Sequence, residues 1–138
     1  MTTIGNCFLA ACCAALLSAS VWGAGINIEA GKEKGTITYA SFERIVKEDP
    51  GALMLIDTRS AKQFAAGTVK GAINIPVDEL EKKLATLPKD KPIVFICATG
   101  AQAGEAYDTA KLLRPELQVY FLDAAINYHG DGGFSLKK

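Results

Sequence analysis

The sequence predicts an α/β domain with a mainly parallel central sheet and helices on both faces. Three observations predict it. Short apolar runs alternate with stretches of helical spacing along the chain. Two of these runs, Ala52 to Ile56 and Ile93 to Ile96, are apolar at every position, the pattern of strands covered on both faces. Turn clusters such as Asp49-Pro50-Gly51 and Pro88-Lys89-Asp90-Lys91-Pro92 separate the runs. With 138 residues and 49% hydrophobic composition, the chain can bury one core.

The elements follow in order after a polar lead-in from Ile26 to Gly35. Thr36 to Thr38 reads as a short strand. Tyr39 to Glu48 carries helical spacing with Phe42, Ile45 and Val46 on one face, and Thr38 or Ser41 can cap it. Asp49-Pro50-Gly51 ends that helix, and the strand Ala52 to Ile56 runs into Asp57. Ser60 to Ala66 suits a short helix closed by Gly67, and Ala72 to Ile75 a short strand stopped by Pro76. Val77 to Leu87 places Leu80, Leu84 and Leu87 in helical register. The strand Ile93 to Ile96 leads to Cys97, and Gln102 to Leu113 forms the next helix with Ala106, Ala110 and Leu113 along a stripe. Val119 to Leu122 reads as the last buried strand, and Ala124 to Tyr128 as a terminal helix before a glycine-rich tail.

The first charged side chain is Glu29, and Cys7 to Leu17 is an unbroken apolar or small run. Residues 1–24 therefore read as an export signal, since the run falls within about 7 to 15 residues and short of the ~20 needed to span a bilayer. Val21 and Gly23 allow cleavage after Gly23, Ala24 or Gly25. The expectation is a periplasmic or otherwise exported protein, with an uncleaved N-terminal anchor as the alternative and no stable membrane insertion after cleavage. Fifteen basic and fifteen acidic residues cancel without a like-charged block, which leaves no electrostatic case for nucleic acid.

Cys7, Cys12 and Cys13 lie in the segment expected to be removed, leaving Cys97 as the lone thiol and excluding an internal disulfide. One histidine, His129, is too little for a metal centre, so no metal is expected. A strand ending at Cys97 holds the thiol at the carboxyl edge of the sheet, where ligands gather in such folds, and Asp57 falls at the same edge. The small residues that follow allow backbone N–H groups to surround the sulfur, and such a cradle stabilises an anion. The alternative is a buried structural cysteine.

From about Thr36 to Tyr128 the residues resemble the rhodanese-like, or sulfurtransferase, domain family. Leu55-Ile56-Asp57-Thr58-Arg59 is similar to the family's strand ending in Asp-x-Arg, and Phe64 to Gly67 followed by Gly71-Ala72-Ile73-Asn74-Ile75-Pro76 to its next signature. Lys91-Pro92-Ile93-Val94-Phe95-Ile96-Cys97, with Gly100 beyond, is similar to the strand and loop that carry its nucleophile. The domain is placed at residues 36–130.

The resemblance implies an active loop of Cys97, Ala98, Thr99, Gly100, Ala101 and Gln102, with Cys97 as the catalytic nucleophile. It implies transfer of sulfane sulfur from a small donor or a protein persulfide, through a Cys97 persulfide, to a thiol or cyanide-like acceptor, with no cofactor. Asp57 and Arg59 are expected to support the site by tying strand ends together. A monomer is expected.

The chain departs from the family at several positions. Ala101 stands where many single-domain members carry arginine, and Ala103 where serine is frequent. No Lys or Arg occurs from Cys97 to Ala110, so a dianionic donor would meet only backbone dipoles and thiosulfate turnover is expected to be weak. Thr68 replaces a histidine, and Ala124, Ala125 and Tyr128 replace a glycine pair and a tryptophan. A sulfur-carrier or protein-binding module with little turnover is the alternative. The cysteine phosphatases that share this topology need an arginine six residues after the cysteine, where this chain has Ala103.

Overall fold

The computed structural model describes residues 25–137, so the export signal expected over residues 1–24 lies outside the described residues. The elements run α1 (Tyr39–Glu48), β1 (Met54–Asp57), α2 (Ala61–Ala66), β2 (Ile73–Asn74), α3 (Leu80–Lys83), β3 (Ile93–Ile96), α4 (Ala101–Leu113), β4 (Val119–Phe121), β5 (Ala125–Tyr128) and β6 (Phe134–Lys137). Strands β1 to β4 form one parallel sheet in the order β2-β1-β3-β4. With the apolar β1 and β3 at its centre, the sheet buries both faces, and two core clusters result.

On one face Leu80, Leu84 and Leu87 join Ala103, Ala106, Tyr107 and Ala110 of α4 over Ile56, Ile93 and Phe95. The alanines let α4 lie close to the sheet, and Tyr107 packs against Phe121 with ring centroids 5.4 Å apart. On the other face Phe42 and Ile45 of α1 pack on Leu55, Val94 and Ile96. Phe42 and Phe95 are both 0% exposed, and burial of such a side chain contributes roughly 1.5 to 3 kcal/mol. Helix α1 spans the predicted residues, with Thr38 accepting a hydrogen bond from Ser41 N at its start. Ser60 and Gln63 cap α2 reciprocally.

Three sequence expectations change. Thr36 and Ile37 make only isolated bridges, to Phe121 and Ala30, because each faces a different neighbour and no ladder develops. Val77 to Leu87 is a short α-helix between two 3-10 turns, Val77–Glu79 and Leu84–Thr86. Leu87 is extended before Pro88, whose ring disfavours a helical residue ahead of it, so the last turn tightens rather than continues. The three leucines keep one buried stripe regardless.

The largest correction is at the C-terminal end, where the predicted helix Ala124 to Tyr128 is strand β5, paired antiparallel with β6. Ala124 and Ile126 are buried while Asn127 is exposed, a period of two rather than 3.6. The glycine-rich tail is the turn of this hairpin, closed by His129 N donating to Gly133 O at 2.9 Å with Gly132 at φ 85°. The hairpin packs on the α1 face, where Phe134 meets Phe42 edge-on at 5.5 Å.

Candidate active site

The carboxyl ends of β1 and β3 bring Asp57 and Cys97 to one edge of the sheet, as their parallel register requires. Thr58 fastens these ends, its N–H and Oγ1 both donating to Ile96 O, at 2.9 and 3.0 Å. After Cys97 the chain turns through Ala98, Thr99 and Gly100, and α4 begins at Ala101, so Ala101 and Gln102 stand in its first helical turn. Thr99, Ala101 and Gln102 are exposed, Ala98 is half-buried and Gly100 buried.

Gly100 closes the loop. Its N–H donates to Cys97 Sγ at 3.0 Å, and its φ of 96° lies in the left-handed region. A Cβ there would stand 2.6 Å from Asp123 Oδ1 and 3.0 Å from Asp123 Cα, so both the conformation and the space call for glycine. The N–H groups of the first turn of α4 have no partner within the helix and direct the positive end of its dipole toward the loop.

The sequence reading holds the thiol at the carboxyl edge of the sheet, where ligands gather, with a buried structural cysteine as the alternative. The structure leaves Cys97 only 1% exposed, within the α3 and α4 cluster beside Ala103. The turn itself is the cause, because it folds the Gly100 amide back over the sulfur. Cys97 is a free thiol, and among the described residues no three His, Cys, Asp or Glu side chains gather as a metal site would need.

Beside the loop stands a buried polar network. Arg59 Nε donates to Asp57 Oδ1 at 3.0 Å and Nη2 to Oδ2 at 2.6 Å, a bidentate pair in which Asp57 is 0% exposed. Asp57 also accepts from Arg59 N at 3.0 Å and from Thr68 Oγ1 at 2.8 Å, so Thr68 belongs to this network. Arg59 Nη2 reaches Gly67 O at 2.7 Å, and Asn74 Nδ2 donates to the carbonyls of Asp57 and Arg59. Burial opposes the charge on Arg59, yet the hydrogen bond with Asp57 and the charges around it hold its pKa above the ordinary value.

Tyr128, on β5, joins this network to the loop. Its ring covers the Arg59 guanidinium with Cζ 3.6 Å from the centroid, and its hydroxyl donates to Cys97 O at 2.6 Å. Burial first, and the Asp57 charge second, push the Tyr128 phenol well up. The sequence reading of a loop surrounded only by backbone dipoles therefore needs Arg59 added, although its charge is engaged by Asp57. The helical assignment of residues 124–128 concealed the contact of Tyr128 with the loop, since only a strand sets Ile126 and Tyr128 along one side. His129 is exposed in the hairpin turn.

A cleft of about 810 Å³ adjoins the outer side of the loop, lined among others by Thr99, Ala101, Glu105, Asp108 and Asp123. Its charged lining is mostly acidic, with Lys34 as its one cation.

A family model described as Rhodanese-like domain matches residues 38–130. The chain is similar to the Thiosulfate:glutathione sulfurtransferase of Homo sapiens, 36% identical over 77 residues that cover 46% of this chain and 67% of that protein. It is also similar to an HTH-type transcriptional regulator of Mycobacterium tuberculosis, 37% identical over 84 residues. That match covers 61% of this chain and only 36% of the regulator's length. A solved structure of a human single-domain sulfurtransferase superposes with a TM-score of 0.59 at 27% identity, covering 67% of this chain and 92% of that one.

Proposed function

This chain belongs to the rhodanese-like domain family, and from that premise we propose that it is a sulfurtransferase in which Cys97 carries the sulfur. Relatives named as sulfurtransferases support a transferase at the level of the family. The family implies a sulfur donor and an acceptor. The observation that carries the reading for this chain is the Gly100 N–H aimed at Cys97 Sγ at 3.0 Å, in a loop that ends on the N-terminus of α4.

With thiosulfate as the simplest donor, the Cys97 thiolate attacks the outer sulfur. A bond forms between Sγ and that sulfur while the sulfur–sulfur bond of the donor breaks, and sulfite leaves with the electron pair. An acceptor thiolate or cyanide then attacks the terminal sulfur of the persulfide, and the Cys97 thiolate leaves as the second product is formed. The Gly100 amide and the dipole of α4 offset the negative charge carried by Sγ before and after transfer. The surroundings disfavour a dianion as the preferred donor: the loop itself is neutral, Arg59 is paired with Asp57, and the adjoining cleft is acidic. A less charged donor or a protein persulfide fits better.

The 1% exposure of Cys97 favours a second reading, a sulfur carrier that is loaded and unloaded slowly by protein partners. Incubating the protein with thiosulfate and then cyanide, while following thiocyanate and intact mass, separates the two. Catalytic thiocyanate supports the transferase, and a gain of about 32 Da on Cys97 without turnover supports the carrier. Failure to gain sulfur from thiosulfate, mercaptopyruvate or a protein persulfide rules out both. The apolar run Cys7 to Leu17 supports export to the periplasm, and cell fractionation tests it.

A further inference from the structure

We infer that Tyr128 is a positioning residue, whose hydroxyl sets the nucleophilicity of Cys97 by fixing the peptide that follows it. The inference rests on Cys97 being the reactive thiol. Two adjacent loop carbonyls are held from the same hairpin strand: Cys97 O accepts from Tyr128 Oη at 2.6 Å, and Ala98 O accepts from Ile126 N at 2.9 Å. Every peptide in the described chain is trans, and in a trans peptide the N–H points opposite to the C=O. Drawing these carbonyls toward β5 therefore turns the N–H groups of Ala98 and Thr99 away from it.

The hairpin and the sulfur lie on opposite sides of this loop. Ile126 and Tyr128 pack with the α1 face of the sheet, while Cys97 packs with α3 and α4. Amides turned away from β5 thus face the side on which Sγ sits and where the Gly100 N–H already reaches it. Ile126 acts through its backbone and can be replaced by other apolar residues. The contribution of Tyr128 is its side chain, and among the described residues no other group donates to Cys97 O. Its phenol is suited to the task because burial keeps it protonated, and the Arg59 guanidinium packed on its ring at 3.6 Å holds the ring in place.

Among the described residues, the charged and titratable groups around the thiol and its loop are Arg59 and Asp57 from the end of β1, Tyr128 from β5, and Asp123, whose carboxylate lies against Gly100. Tyr128→Phe keeps the ring and its stacking and removes only the donated hydrogen bond. The rate of Cys97 alkylation by iodoacetamide, measured from pH 5 to 10, is the readout, because it reports on the thiolate independently of sulfur transfer. The expected result is a profile moved to higher pH by about half to one unit, with a threefold to tenfold slower rate at neutral pH.

Asn127→Ala, an exposed position on the same strand, is expected to leave the profile unchanged. A Tyr128→Phe profile that superposes on the parent's, in protein with a comparable unfolding midpoint, overturns the inference even where sulfur transfer is demonstrated. A shifted profile in protein that transfers no sulfur upholds the positioning role and refutes the transferase instead. Should Tyr128→Phe fail to fold, Tyr128→His retains a donor, and a parent-like rate in that variant upholds the hydrogen bond as the cause. A slow rate despite a folded His variant overturns it.

Discussion

The guanidinium of Arg59 is enclosed between two partners of different kinds, the carboxylate of Asp57 in its plane and the ring of Tyr128 across its face. This arrangement makes one buried cation hold β1, the loop before Thr68 and the hairpin together. Removing one member of a buried pair leaves the other uncompensated, at a cost of about 3 to 5 kcal/mol. Arg59→Ala is expected to lose stability on that scale in urea denaturation. Asp57→Asn/Arg59→Met is expected to lose less than the sum of its single changes.

Gly100 is expected to tolerate no side chain. Gly100→Ala forces a left-handed residue and a Cβ against Asp123, and strain of this kind costs roughly 1 to 3 kcal/mol. The same change displaces the amide that donates to Cys97 Sγ, so alkylation of Cys97 should slow even in protein that remains folded at low temperature. An unaltered unfolding midpoint would contradict this account of the loop.

Alkaline pH should weaken the fold through Tyr128. Its pKa is raised in the folded state, so the protonated phenol contributes stability in full below the ordinary tyrosine value of about 10, and that stability is lost as pH rises toward the folded-state value. The parent is expected to lose stability above pH 10 more steeply than Tyr128→Phe. Unfolding midpoints taken between pH 8 and 11 check the difference.

Glu116 offers the opposite sign at the surface. The hydrogen bond from Arg114 Nε, 2.5 Å long, lowers its pKa, with Lys89 also near at 3.7 Å. A depressed carboxylate pKa contributes stability above the unfolded value, and this disappears as pH falls through the folded one. Glu116→Gln is therefore expected to be slightly less stable than the parent at pH 7 and indistinguishable from it at pH 3, with the difference at pH 7 shrinking in high salt.

Phe134 tests whether the hairpin belongs to the core. Its ring meets Phe42 at 5.5 Å and it is half-buried, so Phe134→Ala is expected to cost about 1 to 3 kcal/mol. Because the hairpin also carries Tyr128, the same variant should make Cys97 alkylation slower or less uniform. An effect on neither would separate the hairpin from the site.

Much of the fold was readable from local pattern. Runs apolar at every position admit a buried strand, so β1 and β3 could be located within two residues at either end, and Tyr39 to Glu48 carried both a stripe and a cap. The segment Ala124 to Tyr128 was too short for its spacing to distinguish a helix from a strand. The alternation of Phe134 and Leu136 with Ser135 and Lys137, beyond a turn rich in glycine, was the available sign of a hairpin. The pairing of Asp57 with Arg59 was implied by the resemblance to the rhodanese-like family, whereas the entry of Thr68 into that pair was not.

What the sequence by itself determined is the parallel sheet and the placing of the Cys97 thiol at its carboxyl edge, because both follow from the periodicity of hydrophobic burial along the chain. Only the tertiary structure decided that the sulfur lies covered beneath its own loop and that Tyr128 reaches back 31 residues to its carbonyl. Those contacts join segments far apart in the chain, and their geometry depends on how the hairpin packs against the sheet, which no local pattern encodes.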